Sequence, residues 1–177
     1  MEEIISTSNV ALISFGSNLS FSEKNPVEIF SNVISVLDGY SSGNVIASSL
    51  YTTCPVDSPE GTPDFLNAVV AIKPETDESP QSLLSKLQQL ESAWGRQRSG
   101  IKNEARTLDL DIISFRNEIL NKPDLVIPHP RAHLRKFVLT PLVELCGESV
   151  KLAGWTNSAV DYLAELKDQE IALYKTV

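Results

Sequence analysis

The sequence predicts an α+β fold in which helices pack on a mainly antiparallel sheet. Strand-like and helix-like patterns follow one another along the 177 residues without the regular alternation that is typical of a parallel sheet. Within residues 106–115, positions 107–112 alternate polar and apolar side chains with a period of two, which is typical of a half-buried strand. Residues 25–39 begin with Asn-Pro, keep apolar residues at helical spacing and end in glycine, which predicts an amphipathic helix.

The other strands are predicted from short apolar runs that are bounded by turn residues. The first run stops at Gly16, which opens a tight turn over residues 16–19. The run at 65–72 is apolar almost throughout, so we expect it in the centre of the sheet. The complete set of predicted strands is 10–15, 45–51, 65–72, 106–115, 119–120 and an edge strand at 171–174.

Three further helical segments are predicted from start signals and helical spacing. They run from Ser79 to Gly95, from Arg131 to Leu145 with a break near Pro141, and from Ala159 to Leu166. Loops at 96–105 and 122–130 join these elements. The loop at 52–64 is long for a compact domain, so we expect it to have a function.

Size and charge limit the kind of protein. The chain is expected to form a single domain over residues 1–177, with a loose N-terminal tail over residues 1–8. A net charge of −8 makes nucleic acid and anionic membranes poor partners. No apolar run is long enough to span a bilayer, and the acidic start does not resemble a signal peptide. Cys54 and Cys146 form no metal motif and no disulfide framework, which predicts a cytoplasmic location.

Two aspartates on the strand at 106–115 point to the same face. Asp109 and Asp111 are two residues apart, and residues i and i+2 of a strand share a face, while the leucines between them pack into the core. Two neighbouring carboxylates repel each other. The pair therefore predicts a hard divalent cation with oxygen ligands.

Basic residues are concentrated immediately before this pair. Residues 96–106 contain four of them where even composition predicts roughly one: Arg96, Arg98, Lys102 and Arg106. A charge run by itself is usually a solvated loop. Guanidinium groups beside metal-binding carboxylates, however, are what phosphoryl transfer requires.

A second basic cluster at 129–136 contains both histidines of the chain. It is either surface charge at a helix start or a second clamp on the same polyphosphate. His129 and His133 have a spacing that could bind zinc on a helix, but the usual accompanying glutamate is absent and Pro130 interrupts the helix. No Walker-type phosphate loop and no nucleophile elbow offers a competing chemistry.

Five motifs, in order along the chain, resemble the 6-hydroxymethyl-7,8-dihydropterin pyrophosphokinase family. The central one is Arg106-Thr-Leu-Asp-Leu-Asp111-Ile-Ile. The others are Phe15-Gly-Ser-Asn-Leu19, the segment 49–55 followed by Phe65-Leu-Asn67, the helix end from Glu91 to Arg96, and the C-terminal block formed by 127–131 and 135–142. Any one of these motifs would be weak evidence, but five in register are strong.

The resemblance implies a ferredoxin-like α+β core with helices on both faces of the sheet. It implies that pyrophosphate is transferred from ATP to the hydroxymethyl group of the pterin, giving AMP and the pterin diphosphate, in folate biosynthesis. It also implies that Asp109 and Asp111 bind Mg²⁺, with two ions expected together with ATP, and that Arg96 and Arg106 are the catalytic residues.

The resemblance further assigns residues to the two substrates. The pterin ring would lie between two phenylalanines while polar groups read its edge, and this set is Thr53, Pro55, Val56, Phe65, Asn67 and Phe137. The nucleotide would contact Gln88, Glu91, Arg98, Lys102, Ile112, His129 and Arg135. Without the resemblance, both phenylalanines would be read as core residues. A buried Asn67 would still need a hydrogen-bond partner, and a ligand can be that partner.

Two rival functions remain open at this stage. One is a non-catalytic ferredoxin-like binding module, although both aspartates and both arginines persist in this chain. The other is a metal-dependent phosphohydrolase, in which water replaces the pterin. The expected partners are ATP and the pterin, without nucleic acid or membrane, and the chain is expected to be a monomer.

Overall fold

The computed structural model describes residues 5–55, 60–96 and 104–177. Within these ranges a six-stranded antiparallel sheet lies at the centre. Its strands are β1 (Ala11–Ser17), β2 (Ile46–Ala47), β3 (Leu50–Thr53), β4 (Phe65–Ile72), β5 (Asp109–Phe115) and β8 (Ala172–Lys175). Five of them have the spatial order β5-β1-β4-β3-β8, and β2 also pairs with β4. The prediction that 65–72 forms a central strand is therefore confirmed.

Helices cover both faces of this sheet and complete a three-layer α+β fold. They are α1 (Pro26–Asp38), α2 (Pro80–Ala93), α3 (Lys136–Cys146) and α4 (Ala159–Glu165), and a small ribbon joins β6 (Leu120–Asn121) to β7 (Val126–Ile127). The chain passes from β1 through α1 to β3, and from β4 through α2 to β5. Each of these connections skips one strand, which is the topology of a ferredoxin-like core.

Two apolar clusters fill the space between the layers. The first joins α1 and α2 to one face of the sheet, with Phe15 packed edge-on against Phe30 at 5.1 Å between ring centroids. The second joins α3 and α4 to the opposite face through Leu12, Val69 and Ile113. Leu108 and Leu110 belong to the first cluster, so Asp109 and Asp111 point to the face that carries α3.

The predicted start of α1 is confirmed in detail. The Asn25 side chain accepts hydrogen bonds from the backbone N–H groups of Val27 and Glu28, at 3.0 and 3.1 Å. The Glu28 carboxylate in turn accepts from the Asn25 N–H at 2.8 Å, which completes a capping box. This reciprocal pair satisfies N–H groups that an α-helix leaves without a partner in its first turn.

One bulge in β5 shapes the region beside the aspartates. Leu12 pairs with Ser114 and Ile13 pairs with Ile112, so Ile113 is an extra residue between them. The carbonyl of Ile113 accepts a hydrogen bond from the backbone N–H of His129 at 2.8 Å. The bulge thereby brings His129 to the same edge as Asp111.

Several predicted boundaries are wrong, each because of a tertiary contact. The first strand does not stop at Gly16 but continues to Ser17, since Gly16 pairs with residues on both neighbouring strands. The predicted strand 45–51 is split into β2 and β3. Between them, the N–H and Oγ of Ser49 both donate to Glu144 on α3, at 2.9 and 2.7 Å.

The C-terminal half shows similar corrections. The helical region 131–145 breaks at Arg135, between a 3-10 helix (Ala132–Leu134) and α3, whereas Pro141 lies inside α3. Pro141 is buried there, so packing offsets the hydrogen bond that proline removes from a helix. The predicted loop 122–130 contains the short strand β7.

The two ends of the chain differ from one another. Ile5 donates its N–H to the Leu145 carbonyl at 3.1 Å and packs on the second cluster, so the predicted loose tail is wrong for residue 5. Residues 1–4 lie outside the described ranges. The predicted edge strand near the C-terminus is confirmed as β8.

Both cysteines are free thiols. Cys54 is exposed, whereas burial raises the pKa of Cys146 to about 11. No helix in the described part of the chain has the length and apolar character that crossing a bilayer requires.

The capping box allows a test of the fold. Asn25→Ala should lower the free energy of unfolding by about 1 kcal/mol, because it leaves helix N–H groups without an acceptor. Asn32→Ala, in the middle of the same helix, is the matched control and should change it by less than about 0.5 kcal/mol. Urea denaturation measures both values, and equal losses would contradict the capping role.

Candidate active site

One row of residues crosses the sheet where β1 ends. Gly16 on β1 pairs with Asp109 on β5 and with Asn67 on β4. Directly paired residues on neighbouring strands point to the same face, and strands lie about 4.8 Å apart. The backbones of Asp109 and Asn67 are therefore about 10 Å apart, with Gly16 between them. The register thus places a carboxylate and a buried amide on one surface.

Asp109 is held between two arginines. Its Oδ1 accepts from Arg96 Nη1 at 2.5 Å, and its Oδ2 accepts from Arg106 Nη1 at 2.6 Å. Arg96 also forms an ion pair with Glu91. Burial alone would lower the pKa of Arg96, but the charges of Asp109 and Glu91 outweigh it and raise that pKa. The structure therefore brings both predicted catalytic arginines to a predicted metal ligand.

Asp111 faces a second group of cations. Its Oδ2 is 3.4 Å from Arg135 Nη1 and 3.8 Å from His129 Nε2. Burial lowers the pKa of His129. The charge of Asp111 raises this pKa, whereas the charges of Arg135 and Arg131 lower it further. Nδ1 of His129 accepts the Arg131 N–H at 3.1 Å, which assigns the imidazole proton to Nε2, facing Asp111.

The two carboxylates suit magnesium better than a metal ion whose ligands all come from protein side chains. Among the described residues there is no group of three or more His, Cys, Asp or Glu side chains that could hold a metal ion. Mg²⁺ commonly takes only one or two carboxylates and fills its other positions with water and substrate phosphates. The two histidines lie in different surroundings. The ring centroid of His133 is 5.2 Å from that of Tyr162 and 6.3 Å from that of Trp155, whereas His129 faces Asp111.

Glu91 anchors the end of α2 to β5. It is buried, and its carboxylate accepts the Leu110 N–H at 2.8 Å in addition to pairing with Arg96. Its carbonyl accepts the Arg96 N–H at 3.1 Å. A cavity of about 340 Å³ is lined here by Gln88, Glu91, Ser92 and Arg96. Two predicted nucleotide contacts, Gln88 and Glu91, thus share a cavity with a catalytic candidate.

Asn18 is a polar residue whose role sequence reasoning missed. It is 5% exposed, and its Oδ1 accepts the Arg106 N–H at 2.7 Å. Its Nδ2 donates to the Pro63 carbonyl at 2.9 Å, and its own N–H donates to the Arg106 carbonyl at 3.0 Å. Asn18 therefore ties Arg106 to the loop before β4. In the sequence Asn18 is part of the motif Phe15-Gly-Ser-Asn-Leu19 that resembles the family, but its position after Gly16 and Ser17 equally suits a turn.

A neighbouring polar chain continues this connection. Ser17 Oγ donates to the Thr107 carbonyl at 2.6 Å, and Thr107 Oγ1 donates to the Trp94 carbonyl at 2.6 Å. Trp94 caps α2 immediately before Gly95 and Arg96. The end of β1, the end of α2 and the start of β5 are thereby joined.

The predicted pterin residues are partly brought together. Asn67 is buried, and its Nδ2 donates to Thr53 Oγ1 at 2.9 Å and to the Phe65 carbonyl at 3.3 Å. The Phe65 ring lies 5.5 Å from Arg106 Cζ, and the Phe137 ring lies 5.5 Å from Arg135 Cζ. Each ring therefore lies beside an arginine that pairs with one of the two aspartates, Arg106 with Asp109 and Arg135 with Asp111.

The remaining predicted residues are less informative. Ile112 is 3% exposed and its side chain belongs to the first apolar cluster, so the structure does not support a side-chain contact with the nucleotide. Pro55 is half-buried at the end of the described segment 5–55. Val56, Arg98 and Lys102 lie outside the described residues.

Two carboxylates, three arginines and a buried amide at one end of an α+β sheet define a class of protein. Such a set is typical of enzymes that transfer phosphoryl groups from a nucleotide to a second substrate. Comparison with known proteins then gives the family.

Residues 12–147 match the model of the 7,8-dihydro-6-hydroxymethylpterin-pyrophosphokinase (HPPK) family. The 2-amino-4-hydroxy-6-hydroxymethyldihydropteridine pyrophosphokinase of Haemophilus influenzae is 40% identical over 141 residues, which cover 79% of this chain and 83% of that protein. The protein of the same name from Bacillus subtilis is 38% identical over 146 residues, which cover 82% and 83%. The chain belongs to the HPPK family.

A solved structure supports the fold. An HPPK-DHPS structure in complex with substrates matches with a TM-score of 0.70 at 15% identity, over 91% of this chain and 45% of that chain. At this identity the likeness shows the fold alone, and the chain spans less than half of the solved chain. The comparisons confirm the family, the α+β class and the enzyme class, an ATP-dependent diphosphotransferase, that the sequence predicts.

The contacts of Asn18 predict a stability effect. Asn18→Ala should lower the free energy of unfolding by about 2 to 3 kcal/mol, because the Arg106 N–H and the Pro63 carbonyl both lose their partner. Asn44→Ala, at an exposed loop position, is the control and should change it by less than about 0.5 kcal/mol. Thermal and urea unfolding measure the difference, and an Asn18→Ala loss as small as the control's would contradict it.

Proposed function

We propose that this site carries out the family's reaction, the transfer of pyrophosphate from ATP to the hydroxymethyl group of 6-hydroxymethyl-7,8-dihydropterin. The products are AMP and the pterin diphosphate, in folate biosynthesis. The observation that carries the proposal is the shared row of Asp109, Gly16 and Asn67, because it sets a phosphate-side carboxylate beside a buried amide.

Asp109 and Asp111 are the residues that would hold magnesium. Their carboxylate oxygens are hard ligands on one face of β5, and among the described residues no third His, Cys, Asp or Glu side chain joins them, so water and phosphate would fill the other positions. When bound, Mg²⁺ neutralises phosphate charge and lowers the pKa of the attacking hydroxyl. Two ions are proposed, supported by the presence of two aspartates at i and i+2 of the strand.

Arg96 and Arg106 stabilise the transferring group. Both guanidinium groups already point at the Asp109 carboxylate, at 2.5 and 2.6 Å, from the two ends of the connection between α2 and β5. Arginine offers a planar fork of donors that suits phosphate oxygens. Charge that develops on the β-phosphate is thereby met by donors that are positioned before the reaction.

The nucleotide lies along the other cations and the cavity. Arg135 and His129 face Asp111, and Gln88 and Glu91 line the cavity next to Arg96. Burial lowers the pKa of His129, which favours the neutral imidazole, and its Nε2 proton faces the proposed nucleotide side. Arg98 and Lys102, also proposed for the nucleotide, rest on the family resemblance alone.

The pterin is oriented by Asn67 and Thr53 and stacked by the phenylalanines. The Asn67 side chain is fixed by its bonds to Thr53 and to the Phe65 carbonyl, which leaves its Oδ1 directed to the surface over Gly16. A fixed amide matches the amide-like edge of a pterin, and aromatic rings bind its flat face. Phe65 and Phe137 supply these rings, and Pro55 and Val56 complete the proposed pocket.

Three finer points belong to the same proposal. The enzyme is a monomer, supported by exposed apolar side chains that lie on different elements, with Ile46 on β2, Val160 on α4 and Leu173 on β8. It works in the cytoplasm, supported by two free thiols. Residues 1–177 act as one catalytic domain, supported by a sheet that is covered on both faces.

Product analysis tests the reaction. Wild-type protein with Mg-ATP and hydroxymethyldihydropterin should form AMP and pterin diphosphate, followed by chromatography. Asp111→Asn should reduce kcat by at least about 100-fold, since the variant keeps the side-chain shape and loses the charge. Its Tm should stay close to that of Asp124→Asn, an exposed control that should keep full activity.

The products distinguish the rivals. ADP as the nucleotide product, or ATP cleavage without pterin, would indicate a different phosphotransferase or a phosphohydrolase. Pterin binding without any turnover would indicate a binding module. A fully active Asp111→Asn variant would contradict the metal role of this residue.

Metal removal gives an independent test. Dialysis against EDTA should abolish AMP formation and leave the Tm almost unchanged, because the described residues supply too few ligands for a structural metal. Added Mg²⁺ should restore the rate, whereas added Ca²⁺ should restore much less, since it prefers more ligands and longer bonds. Activity that survives EDTA would exclude a required metal.

A further inference from the structure

Gly16 stands in the interior of a central strand where the fold itself does not require glycine. It pairs in regular register with Asn67 on one side and Asp109 on the other, and the bulge of this sheet edge lies elsewhere, at Ile113. Its φ is outside the left-handed region that favours glycine. A glycine in a strand interior weakens the sheet and often marks a place where another molecule approaches the backbone closely.

The protein leaves room for a side chain at this position. A Cβ on Gly16 would lie 3.7 Å from Asp109 Cβ and 3.8 Å from Asn67 Oδ1, which are ordinary contact distances. No protein atom therefore excludes alanine here. A Cβ would instead project from the surface of the site, between Asn67, which is proposed to bind the pterin, and Asp109, which is proposed to bind the metal.

The neighbouring row on the same face differs in this respect. Two residues earlier along β1, Ser14 pairs with Asp111 and with Val69, and it carries a side chain at the equivalent middle position. The bare backbone is thus confined to the row that contains Asn67. The reacting arm of a pterin held by Asn67 must cross this position to reach Asp109.

We propose that Gly16 is a specificity-determining residue, whose missing side chain keeps the floor between Asn67 and Asp109 flat for the hydroxymethyl arm of the pterin. This inference rests on the proposed function. An added methyl group would lift that arm away from the phosphate and clash with the ring edge. The nucleotide would be much less affected, because its proposed contacts with Gln88, His129 and Arg135 lie outside the row of Asn67, Gly16 and Asp109.

Gly16→Ala tests the proposal, with Gly43→Ala as the matched control. A Cβ at Gly43 meets only Lys73 carbon atoms, the nearest at 3.5 Å, on an exposed loop. We expect Gly16→Ala to raise the KM for the pterin at least about tenfold, the effect of one misplaced methyl group in a pocket, while the KM for ATP changes less than about twofold. Calorimetry with the pterin and a non-hydrolysable ATP analogue should show the same loss of pterin affinity.

Stability separates this role from a structural one. The Tm of Gly16→Ala should be equal to or above the wild-type value, because alanine suits a strand better than glycine, and the Tm of the loop variant Gly43→Ala should change little. A marked fall in Tm would overturn the proposal, since the fold would then need the glycine. An active wild type together with unimpaired pterin binding by Gly16→Ala would overturn this inference alone. A wild type without pterin-dependent AMP formation would overturn the proposed function as well.

Discussion

The double pairing of Asp109 with Arg96 and Arg106 is the interaction on which the site depends. Arg96 leaves the end of α2 and Arg106 enters β5, so one carboxylate ties together both ends of the connection between these elements. Glu91 and Thr107 reinforce the same junction through buried hydrogen bonds. Glu91 is buried and the other three charged groups are partly withdrawn from water, so pairing offsets the cost of their desolvation and fixes them relative to one another.

Two arginines of the site each lie beside one aspartate and one phenylalanine ring. Arg106 lies beside Asp109 and the Phe65 ring, and Arg135 lies beside Asp111 and the Phe137 ring. In the proposed complex the carboxylates would bind the metal, the guanidinium groups would bind phosphate oxygens and the rings would stack on the pterin. Exchange of partners in this way avoids leaving any buried charge unpaired, which would be costly.

Much of the fold could be predicted because the signals were local. The Asn-Pro start of α1, the helical spacing of α2 and the apolar run of β4 depend on residues close in the chain. The errors arose where distant contacts overrule local preference. Gly16 stays in its strand because two neighbours pair with it, and Pro141 stays in α3 because the second cluster buries it. Ile112 has its side chain in the core, so the nucleotide contact predicted for this residue would have to come from its backbone.

The sequence by itself determined which chemical groups are present and which of them share a strand face. Asp109 and Asp111 lie two residues apart, and the alternation of a strand is enough to place both on one side. Only the tertiary structure decided what surrounds them. Arg135, Asn18 and Asn67 are far from the aspartates in the chain, and they arrive through sheet register, the bulge at Ile113 and buried hydrogen bonds. No local pattern encodes these long-range pairings, because they depend on how whole elements pack.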